Sequence, residues 1–424
     1  MKTTEPNLNL LRGVPASGRE VESFAPSPVK ADDSPPPAGV VTSLYVHVPF
    51  CAHKCEYCAF YSHLPGGDGV DRYVAALTEE MRMVADGTRL KTVFFGGGTP
   101  SILNLRQWEK VFHTMDKVGW LGADEWTVEC NPATVSLDKA KLLREFGVNR
   151  ISMGVQSLDE ALLDRLGRIH SREMVFKSYD ILRKAGFENI NIDLMFAIPG
   201  QTMPIWEATM NEAMAMQTEH LSCYEVIYEE DTPLFAQLQA GEIDVDEELA
   251  CEMYERLVAR AQEGGYERYE VANFAKGSGS GEVPSRACRH NVNYWRGGFY
   301  WALGPSAAGF EPRVGEEWGV RTRNWSNTTM YCEQIEKGQR ALEPVESLSQ
   351  VRRAGEIAAF GLRMPFGWSF ASFKAVTGLD LQDGWEEEMK SLQDRGWGIL
   401  ARDHFRLTSE GLRFADSAGA DFLR

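Results

Sequence analysis

The chain has 424 residues, of which 43% are hydrophobic and 25% are charged, a composition typical of globular proteins in water. Its formal net charge of −17 argues against a nucleic-acid partner, because binding to a phosphate backbone depends on dense lysine and arginine. No apolar run reaches the length of about 18 residues that a membrane helix needs, and the 8 cysteines stand at scattered spacings that indicate a reducing compartment, so we expect a cytoplasmic protein.

Residues 1–42 are rich in proline, serine and alanine and predict a disordered leader. From residue 43 onward, short apolar runs alternate with amphipathic helical stretches, which predicts a parallel α/β sheet with right-handed crossovers. The predicted strands are Ser43–Val48, Thr92–Phe95, Trp126–Glu129, Arg150–Val155, Ile190–Phe196 and Leu221–Ile227. The helices predicted between them are Val70–Ala85, Leu105–Val118, Leu137–Phe146, Arg172–Ala185 and Ile205–Met216.

Beyond about residue 312 the pattern changes to helices without parallel strands. A hairpin over residues 398–408 accompanies these helices, and together they predict a mainly helical, winged-helix-like domain over residues 312–424. Some modules of that shape bind DNA, but this region has no dense basic stripe. The predicted helices are Ser349–Phe360, Phe370–Val376, Leu381–Arg395 and Ser409–Leu423.

Three cysteines, Cys51, Cys55 and Cys58, lie within eight residues directly behind the first predicted strand. A structural zinc site normally takes four ligands, and a disulfide framework belongs to small secreted chains. Three thiolates in a tight loop suit an iron–sulfur cluster, whose usual complement is four. One iron would then stay open, and an open metal position is typical of chemistry rather than of scaffolding.

Polar or glycine-rich residues follow each of the later predicted strands. They include Gly96–Pro100 after the second strand, Glu129 after the third, Gln156 at the end of the fourth, Asp193 on the fifth and Glu225 on the sixth. In barrels of parallel strands, active-site residues lie at the C-terminal ends of the strands. We therefore expect these side chains to surround the cysteine loop.

The cysteine spacing and the strand before it resemble the signature of the radical S-adenosylmethionine (SAM) superfamily. This resemblance implies a [4Fe–4S] cluster whose open iron binds SAM, and a partial, TIM-like (β/α)6 barrel over residues 43–311. It implies that Arg168 pairs with the SAM carboxylate through its guanidinium fork, which lysine cannot reproduce. Tyr45 is expected to pack on the cluster or SAM, and Tyr57 to shield the cluster from solvent. The other implied contacts to SAM or substrate are Gly97, Gly98, Thr99, Glu129, Gln156 and Asp193.

A later stretch, Cys288 to Trp295, narrows the resemblance. On spacing alone a lone histidine is more often a hydrogen-bonded structural residue than a ligand. The run from His290 to Trp295, His-Asn-x-x-Tyr-Trp, is similar to a heme-binding motif of heme chaperones in the coproporphyrinogen III oxidase-like family. The resemblance implies heme as cargo, with heme-acceptor proteins at the membrane as partners, and leaves the oligomeric state open, a homodimer included. The implied heme-binding residues are His290, Asn291, Tyr294 and Trp295.

Two alternatives to a heme chaperone stay open. The first is an oxygen-independent coproporphyrinogen III oxidase, which makes protoporphyrinogen IX through a 5′-deoxyadenosyl radical. Such oxidases carry a further cysteine two residues after the third ligand, where this chain has Phe60 preceded by Ala59. The second alternative is a structural zinc protein. In the preferred interpretation, the C-terminal domain packs over the barrel mouth as a cover for heme or substrate.

Overall fold

The computed structural model describes residues 40–277 and 282–424, so nearly all of the predicted leader lies outside the described residues. Six strands in its first half are parallel neighbours, in the same order along the sheet as along the chain. This confirms the predicted partial (β/α)6 arrangement. In chain order the elements are β1 (Ser43–Val48), α1 (Gly69–Val84), β2 (Thr92–Gly97), α2 (Leu105–Lys117), β3 (Glu125–Cys130), α3 (Leu137–Glu145), β4 (Arg150–Gln156), α4 (Glu160–Arg165), α5 (Arg172–Lys184), β5 (Ile190–Phe196), α6 (Met203–Ala215) and β6 (His220–Glu225).

The two faces of these strands differ, because successive side chains of a strand point to opposite sides of the sheet. In β4, Ile151 and Val155 are buried in the main hydrophobic core. The alternate residues Ser152 and Gln156 line a cavity instead. The helices therefore cover an apolar face, and the inner face of the sheet is left polar.

Local signals define where the helices begin and end. The hydroxyls of Ser136 and Ser171 accept hydrogen bonds from backbone N–H groups in the first turns of α3 and α5. Gly147 and Gly186 follow the ends of these two helices with φ of +99° and +89°. The left-handed conformation after a helix favours glycine, which explains why these two helices end there.

The second half of the sheet was not predicted. It contains α7 (Pro233–Gln239), α8 (Glu247–Glu263), β7 (Glu267–Arg268), β8 (Asn273–Ala275), α9 (Arg289–Trp295), β9 (Tyr300–Leu303), β10 (Ala308–Arg313), β11 (Glu316–Arg323), α10 (Thr328–Glu336) and β12 (Glu346–Ser347). β9 pairs in parallel with β1, and the sheet runs β12-β11-β10-β9-β1-β2-β3-β4-β5-β6-β8-β7. It is thus an open sheet of 12 strands across the described residues. The predicted domain boundary after residue 311 falls inside β10, and the sheet continues to Ser347.

The last part of the chain has a hydrophobic core of its own, built on large side chains such as Trp368, Phe373 and Trp385. Its helices surround a sheet of 3 strands in the order β13-β15-β14. This confirms the predicted helical domain with a hairpin. The elements are α11 (Gln350–Gly361), β13 (Trp368–Ser369), α12 (Phe370–Thr377), α13 (Leu381–Asp394), β14 (Gly398–Leu400), β15 (His404–Leu407) and α14 (Ala415–Ala420).

The C-terminal domain packs against the end of α9. The Nη2 group of Arg353 donates to the carbonyl oxygen of Gly297 at 2.6 Å. In the other direction, the Nη1 group of Arg296 donates to the carbonyl oxygen of Gly367 at 2.8 Å. The domain is therefore fixed to the segment that follows α9. Among residues 40–277 and 282–424, no helix is both long and apolar enough to span a bilayer.

Candidate functional site

A cavity of about 470 Å³ opens at the C-terminal ends of the parallel strands, where this class of fold places its active sites. Its walls come from the cysteine loop after β1 and from the ends of β2 to β6. It brings together most of the residues that the sequence singled out. Those that line it are Cys51, Cys55, Tyr57, Cys58, Gly97, Gly98, Thr99, Glu129, Gln156, Arg168 and Asp193.

The cysteine loop is held by backbone hydrogen bonds. The N–H of Cys51 donates to the carbonyl of His63 at 3.1 Å, and the N–H of His63 donates to the carbonyl of Pro49 at 2.9 Å. Farther along, the N–H of Glu56 donates to the carbonyl of Leu166 at 3.1 Å, just after α4. The loop is therefore closed at its base and tied to the opposite wall of the cavity.

Two of the three sulfur atoms accept hydrogen bonds from the cavity wall. The hydroxyl of Thr99 donates to Cys51 Sγ at 3.5 Å, and Arg168 Nη1 donates to Cys55 Sγ at 3.4 Å. Within the described ranges, no three His, Cys, Asp or Glu side chains converge closely enough to coordinate one metal ion. A cubane cluster does not require such convergence, because each thiolate binds a different iron.

The glycine run after β2 packs directly beneath the cysteine loop. The N–H groups of Gly98 and Thr99 donate to the carbonyls of Val48 and Phe50, each at 2.8 Å. A Cβ atom at position 98 would lie 2.7 Å from both carbonyl oxygens. Only glycine permits this approach. The run therefore joins the ends of β1 and β2 and shapes the floor of the cavity below the thiols.

Two carboxyls, Glu129 and Asp193, lie deep in the cavity. Burial, followed by the neighbouring charge of Asp193, raises the pKa of Glu129 to about 8. Burial also raises the pKa of Asp193, although Asn191 Nδ2 donates to its carboxylate at 2.7 Å and the Ser152 hydroxyl at 3.4 Å. Ionisation of both carboxyls at once is unfavourable, because their negative charges repel each other. A cationic ligand group would stabilise both.

The guanidinium of Arg168 crosses the cavity wall between β4 and the cysteine loop. Its Nη2 group donates to the carbonyl of Gly154 at 2.6 Å. Its Nε–H is buried and has no acceptor within the described residues. Close by, Gln156 has a φ of +66°, which is strained for a residue with a side chain. An enclosed cation that lacks one acceptor is suited to receive a carboxylate.

The two predicted tyrosines have different positions. Tyr57 lines the cavity together with Arg168. Tyr45 does not line the cavity. Its hydroxyl pairs with Nδ1 of His47 at 3.1 Å, and its ring centroid lies 6.3 Å from that of Phe94. Tyr45 therefore belongs to the interior of the sheet, beneath the cavity.

The predicted heme ligand, His290, lies at the opposite end of the sheet. It is 1% exposed, with Nδ1 2.9 Å from the hydroxyl of Thr92 and Nε2 2.6 Å from that of Tyr294. Thr92 begins β2, whose C-terminal end reaches the cavity, so the length of that strand separates the two places by about 20 Å. Both ring nitrogens of His290 are occupied, and neither is free for a heme iron in this conformation.

The helix α9 is anchored in the interior rather than exposed. The carboxylate of Glu125, at the start of β3, accepts hydrogen bonds from the N–H groups of Arg289 at 2.9 Å and His290 at 3.0 Å. Burial, aided by the positive charge of Arg150, lowers the pKa of His290 to about 3. The imidazole is therefore neutral and belongs to a buried network of hydrogen bonds at the N-terminal end of the sheet.

The other residues of the predicted heme motif also have packing roles. The ring of Tyr294 lies 4.3 Å from that of Tyr300 between centroids, and the ring of Trp295 lies 6.1 Å from that of Phe360 in the C-terminal domain. Asn291 is half-buried. The motif thus lies between the sheet and the C-terminal domain, and its role in binding heme stays a prediction.

Known proteins share both parts of this architecture. The family model of the radical SAM superfamily matches residues 45–213, and that of the HemN C-terminal domain matches residues 348–414. The heme chaperone HemW of Bacillus subtilis is 33% identical over 387 residues, which cover 90% of this chain and 99% of the relative. The chain belongs to the HemW family of radical SAM proteins. HemW of Lactococcus lactis is 31% identical over 383 residues, with 90% and 97% of the two chains covered.

The chain is also similar to a mitochondrial protein of an animal, and its fold is like that of an oxidase. The mitochondrial radical S-adenosyl methionine domain-containing protein 1 of Danio rerio is 32% identical over 401 residues, with 91% of this chain and 88% of the relative covered. The solved structure of coproporphyrinogen III oxidase (HemN) from Escherichia coli superposes with a TM-score of 0.76 at 21% identity, covering 92% and 90% of the two chains. The predicted family is confirmed, and HemN shares its fold.

The C-terminal domain of this HemW-family chain does not cover the cavity. Every residue that lines the cavity lies between Cys51 and Glu229. The prediction that the domain packs over the barrel mouth is therefore wrong. The reason is that α11 packs against α9, and α9 occupies the other end of the sheet.

Sequence reasoning missed several cavity residues of this HemW-family chain. Asn131, Ser152, Met195 and Tyr224 all line the cavity. Met195 lies two residues from Asp193 and Ser152 four residues from Gln156, each on the same face of its strand as that predicted residue. The period-two pattern of inward residues is the signal that could have found them.

Proposed function

We propose that this chain is a heme chaperone that holds a [4Fe–4S] cluster on Cys51, Cys55 and Cys58, binds SAM beside it and carries heme to acceptor proteins. One observation carries the proposal. The three thiols face the same cavity as an arginine that lacks one acceptor and two carboxyls that resist ionisation. A SAM molecule has the complementary groups, a carboxylate and cationic centres.

The residues that line the cavity fit both the [4Fe–4S] cluster and SAM. Arg168 would receive the SAM carboxylate, and Glu129 would accept a hydrogen bond from its amino group. Gln156 and Asp193 would contact the ribose of SAM, and Tyr57 would keep water from the cluster. When bound, the cluster supplies one-electron chemistry and SAM its sulfonium centre. The protein's own contribution is to orient these groups in a cavity that is open on one side.

Reconstitution tests the cofactor part of the proposal. Anaerobic treatment with iron and sulfide should give a broad absorption near about 400 nm in the wild type. Replacing Cys51, Cys55 or Cys58 by serine should abolish that absorption, while Cys251→Ser, which alters a cysteine outside the cavity, should keep it. Normal cluster loading in Cys55→Ser would sink the proposed ligand set.

Heme is the proposed cargo because relatives that match over most of their length are named heme chaperones. The acceptors we propose are heme proteins at the membrane, and the compartment is the reducing cytoplasm, which keeps the thiols free. Transfer of heme from the loaded protein to an apo-acceptor, followed by the acceptor's Soret band, tests this part. Heme that stays on the protein in the presence of several apo-acceptors would count against a carrier.

An oxygen-independent coproporphyrinogen III oxidase is the alternative function. It is favoured by the same cavity, since the arrangement of thiols, Arg168 and Glu129 would serve SAM in either protein. The position two residues after Cys58 counts against it. That position is occupied by Phe60, which is exposed at the cavity rim and offers no ligand.

A further inference from the structure

A buried row of polar side chains crosses the inner face of the sheet just below the cavity. Ser152 of β4, Asn191 of β5 and His220 of β6 are paired neighbours in the register of these parallel strands. Asn191 and His220 are both 0% exposed, and neither lines the cavity. The interior of a protein normally holds apolar side chains, and burying a polar group is costly unless it is hydrogen-bonded. A polar row at this place therefore needs an explanation beyond packing.

Asn191 supports two residues that line the cavity. Its Nδ2 group donates to the carboxylate of Asp193 at 2.7 Å and to the hydroxyl of Ser152 at 2.7 Å, so both N–H groups of the amide are used. Asp193 and Ser152 line the cavity, whereas Asn191 lies beneath them. Burial raises the pKa of Asp193, and the hydrogen bond from Asn191 opposes that rise. The amide therefore favours an ionised carboxylate that has one oxygen held in place.

A chain of hydrogen bonds continues behind the Asn191 amide. Its carbonyl oxygen, Oδ1, lies 2.6 Å from Nδ1 of His220. On the far side of that ring, Nε2 lies 2.7 Å from the hydroxyl of Tyr269. The Tyr269 oxygen in turn accepts from the backbone N–H of Cys288 at 3.1 Å. The chain thus runs through the interior from the residue before α9 to the cavity.

The two ends of this chain of hydrogen bonds fix its direction. At one end the N–H of Cys288 can only donate, so the Tyr269 oxygen accepts there and has its own O–H left for His220. Burial lowers the pKa of His220 well below its ordinary value, so the neutral ring carries a single proton. Because Nε2 accepts, that proton is on Nδ1 and points to Oδ1 of Asn191. The amide N–H groups must then face the other end, where the carboxylate of Asp193 can only accept.

We infer that Asn191 and His220 are positioning residues for SAM. Asn191 holds the Asp193 carboxylate toward the ribose, and His220 keeps the N–H side of the Asn191 amide turned to that carboxylate. The inference rests on the proposed function, in which Asp193 contacts the ribose of SAM. Neither positioning side chain lines the cavity, so each acts on SAM only through Asp193. Without the N–H of His220, the amide would be free to rotate and to present its carbonyl oxygen to the carboxylate, which repels it.

Equilibrium dialysis of cluster-loaded protein tests the role of Asn191. The two probes are SAM and its dideoxy analogue, which lacks both ribose hydroxyls. Asn191→Leu keeps the size of the side chain and removes the amide. Its affinity for SAM should fall by a factor of about 10 to 100, because a hydrogen bond to a charged group is lost, while its affinity for the analogue should stay within about twofold of the wild type. Asn211→Leu, at an exposed position of α6, is the matched control and should bind both probes as the wild type does.

The ratio of the two affinities separates positioning from a general loss of structure. An equal drop for SAM and for the analogue would mean that Asn191 only supports the fold, and it would overturn the inference. Unchanged affinity for SAM in Asn191→Leu would overturn it as well. A wild type that binds no SAM would instead refute the proposed SAM site itself.

A pair of variants at position 220 tests the orientation of the amide. His220→Asn keeps an N–H donor close to the place of Nδ1, and His220→Phe removes it. Both variants lose the hydrogen bond to Tyr269, so their losses of stability in urea should be similar and the comparison isolates the N–H group. The affinity for SAM should stay within about threefold of the wild type in His220→Asn and fall by at least about tenfold in His220→Phe. Equal affinity for SAM in the two variants would overturn the positioning role of His220.

Discussion

At the scale of single residues, burial determines the charge of the cavity. Glu129 has a pKa raised to about 8 by burial and by the charge of Asp193. The folded protein therefore holds a proton that the unfolded chain loses near the ordinary pKa of about 4.3. Stability from this group is fully present at low pH and declines as the pH rises toward 8. A cationic ligand group in the cavity would stabilise the ionised carboxylate and so oppose this loss of stability.

The variant Glu129→Gln should remove this pH dependence. Without SAM, the free energy of unfolding of the wild type should fall relative to the variant by about 1.4 kcal/mol per pH unit between roughly pH 5 and pH 8, and level off above. Urea unfolding at several pH values measures it, with the exposed Glu173→Gln as control. Parallel stability curves for wild type and Glu129→Gln would contradict the raised pKa.

Arg168 is expected to act through its forked geometry, not only through its charge. Arg168→Lys keeps the cation but loses the planar fork that contacts Gly154 and Cys55. SAM affinity should fall by a factor of about 10 to 100, since a hydrogen bond to a charged group contributes about 1.5–3 kcal/mol. Equilibrium dialysis of cluster-loaded protein measures it. Arg172→Lys, on the surface of α5, should bind SAM as the wild type does, and equal affinity in Arg168→Lys would contradict the assignment.

At the scale of elements, the strands and helices that build the cavity were largely predictable. β1 and β5 begin and end where predicted, and the other four strands differ from the prediction by one or two residues at their ends. Each is a local apolar run between turn signals, so local pattern suffices. β9 and β12 escaped prediction because they are short, and β10 and β11 because they are partly polar. β9 takes its place only through pairing with β1, a partner more than 200 residues away in the sequence.

The position of α9 could not be read from its sequence for the same reason. Its motif contains histidine and aromatic residues, which occur both in heme pockets and in helices packed in the protein interior. Only the contacts of His290 with Thr92 and of its N–H with Glu125 show that the helix packs in the interior, and its role in binding heme stays a prediction. These partners lie more than 150 residues earlier in the chain.

The variant His290→Ala should behave as a core mutation. Removing the ring leaves a cavity and takes away the hydrogen-bond partner of the Tyr294 hydroxyl, whereas the Thr92 hydroxyl still donates to Ser43, so the free energy of unfolding should fall by about 2–4 kcal/mol. Hemin affinity should match the wild type at a temperature where both are folded. Chemical denaturation and hemin titration on the same preparation measure the pair. A variant of full stability that has lost hemin binding would show that His290 is a ligand after all.

The glycine run after β2 gives a sharper test of the geometry. Gly98→Ala would place a Cβ 2.7 Å from two backbone carbonyls and push apart the ends of β1 and β2. Cluster retention in an iron assay should drop by at least about half, because the cysteine loop rests on these strand ends. Gly384→Ala in α13 meets no atom within 4 Å and should keep full cluster content. Equal retention in both variants would mean that the loop does not depend on this packing.

At the scale of the whole molecule, the two ends of the sheet have separate roles. The C-terminal end carries the thiols and the polar cavity, and within residues 40–277 and 282–424 it is open to solvent. The N-terminal end is closed by α9 and by the C-terminal domain, through the contacts of Arg353 and Arg296. An open mouth suits a protein that must load and release a large ligand, more than one that must enclose a radical reaction.

One measurement distinguishes directly between a heme carrier and an oxidase. Cluster-loaded protein is incubated anaerobically with SAM, a reductant and coproporphyrinogen III, and in parallel with hemin followed by an apo-acceptor, and the tetrapyrroles are quantified by chromatography. We expect no protoporphyrinogen IX above a Cys55→Ser control, together with transfer of heme to the acceptor. Catalytic amounts of protoporphyrinogen IX without heme transfer would contradict the heme-carrier function.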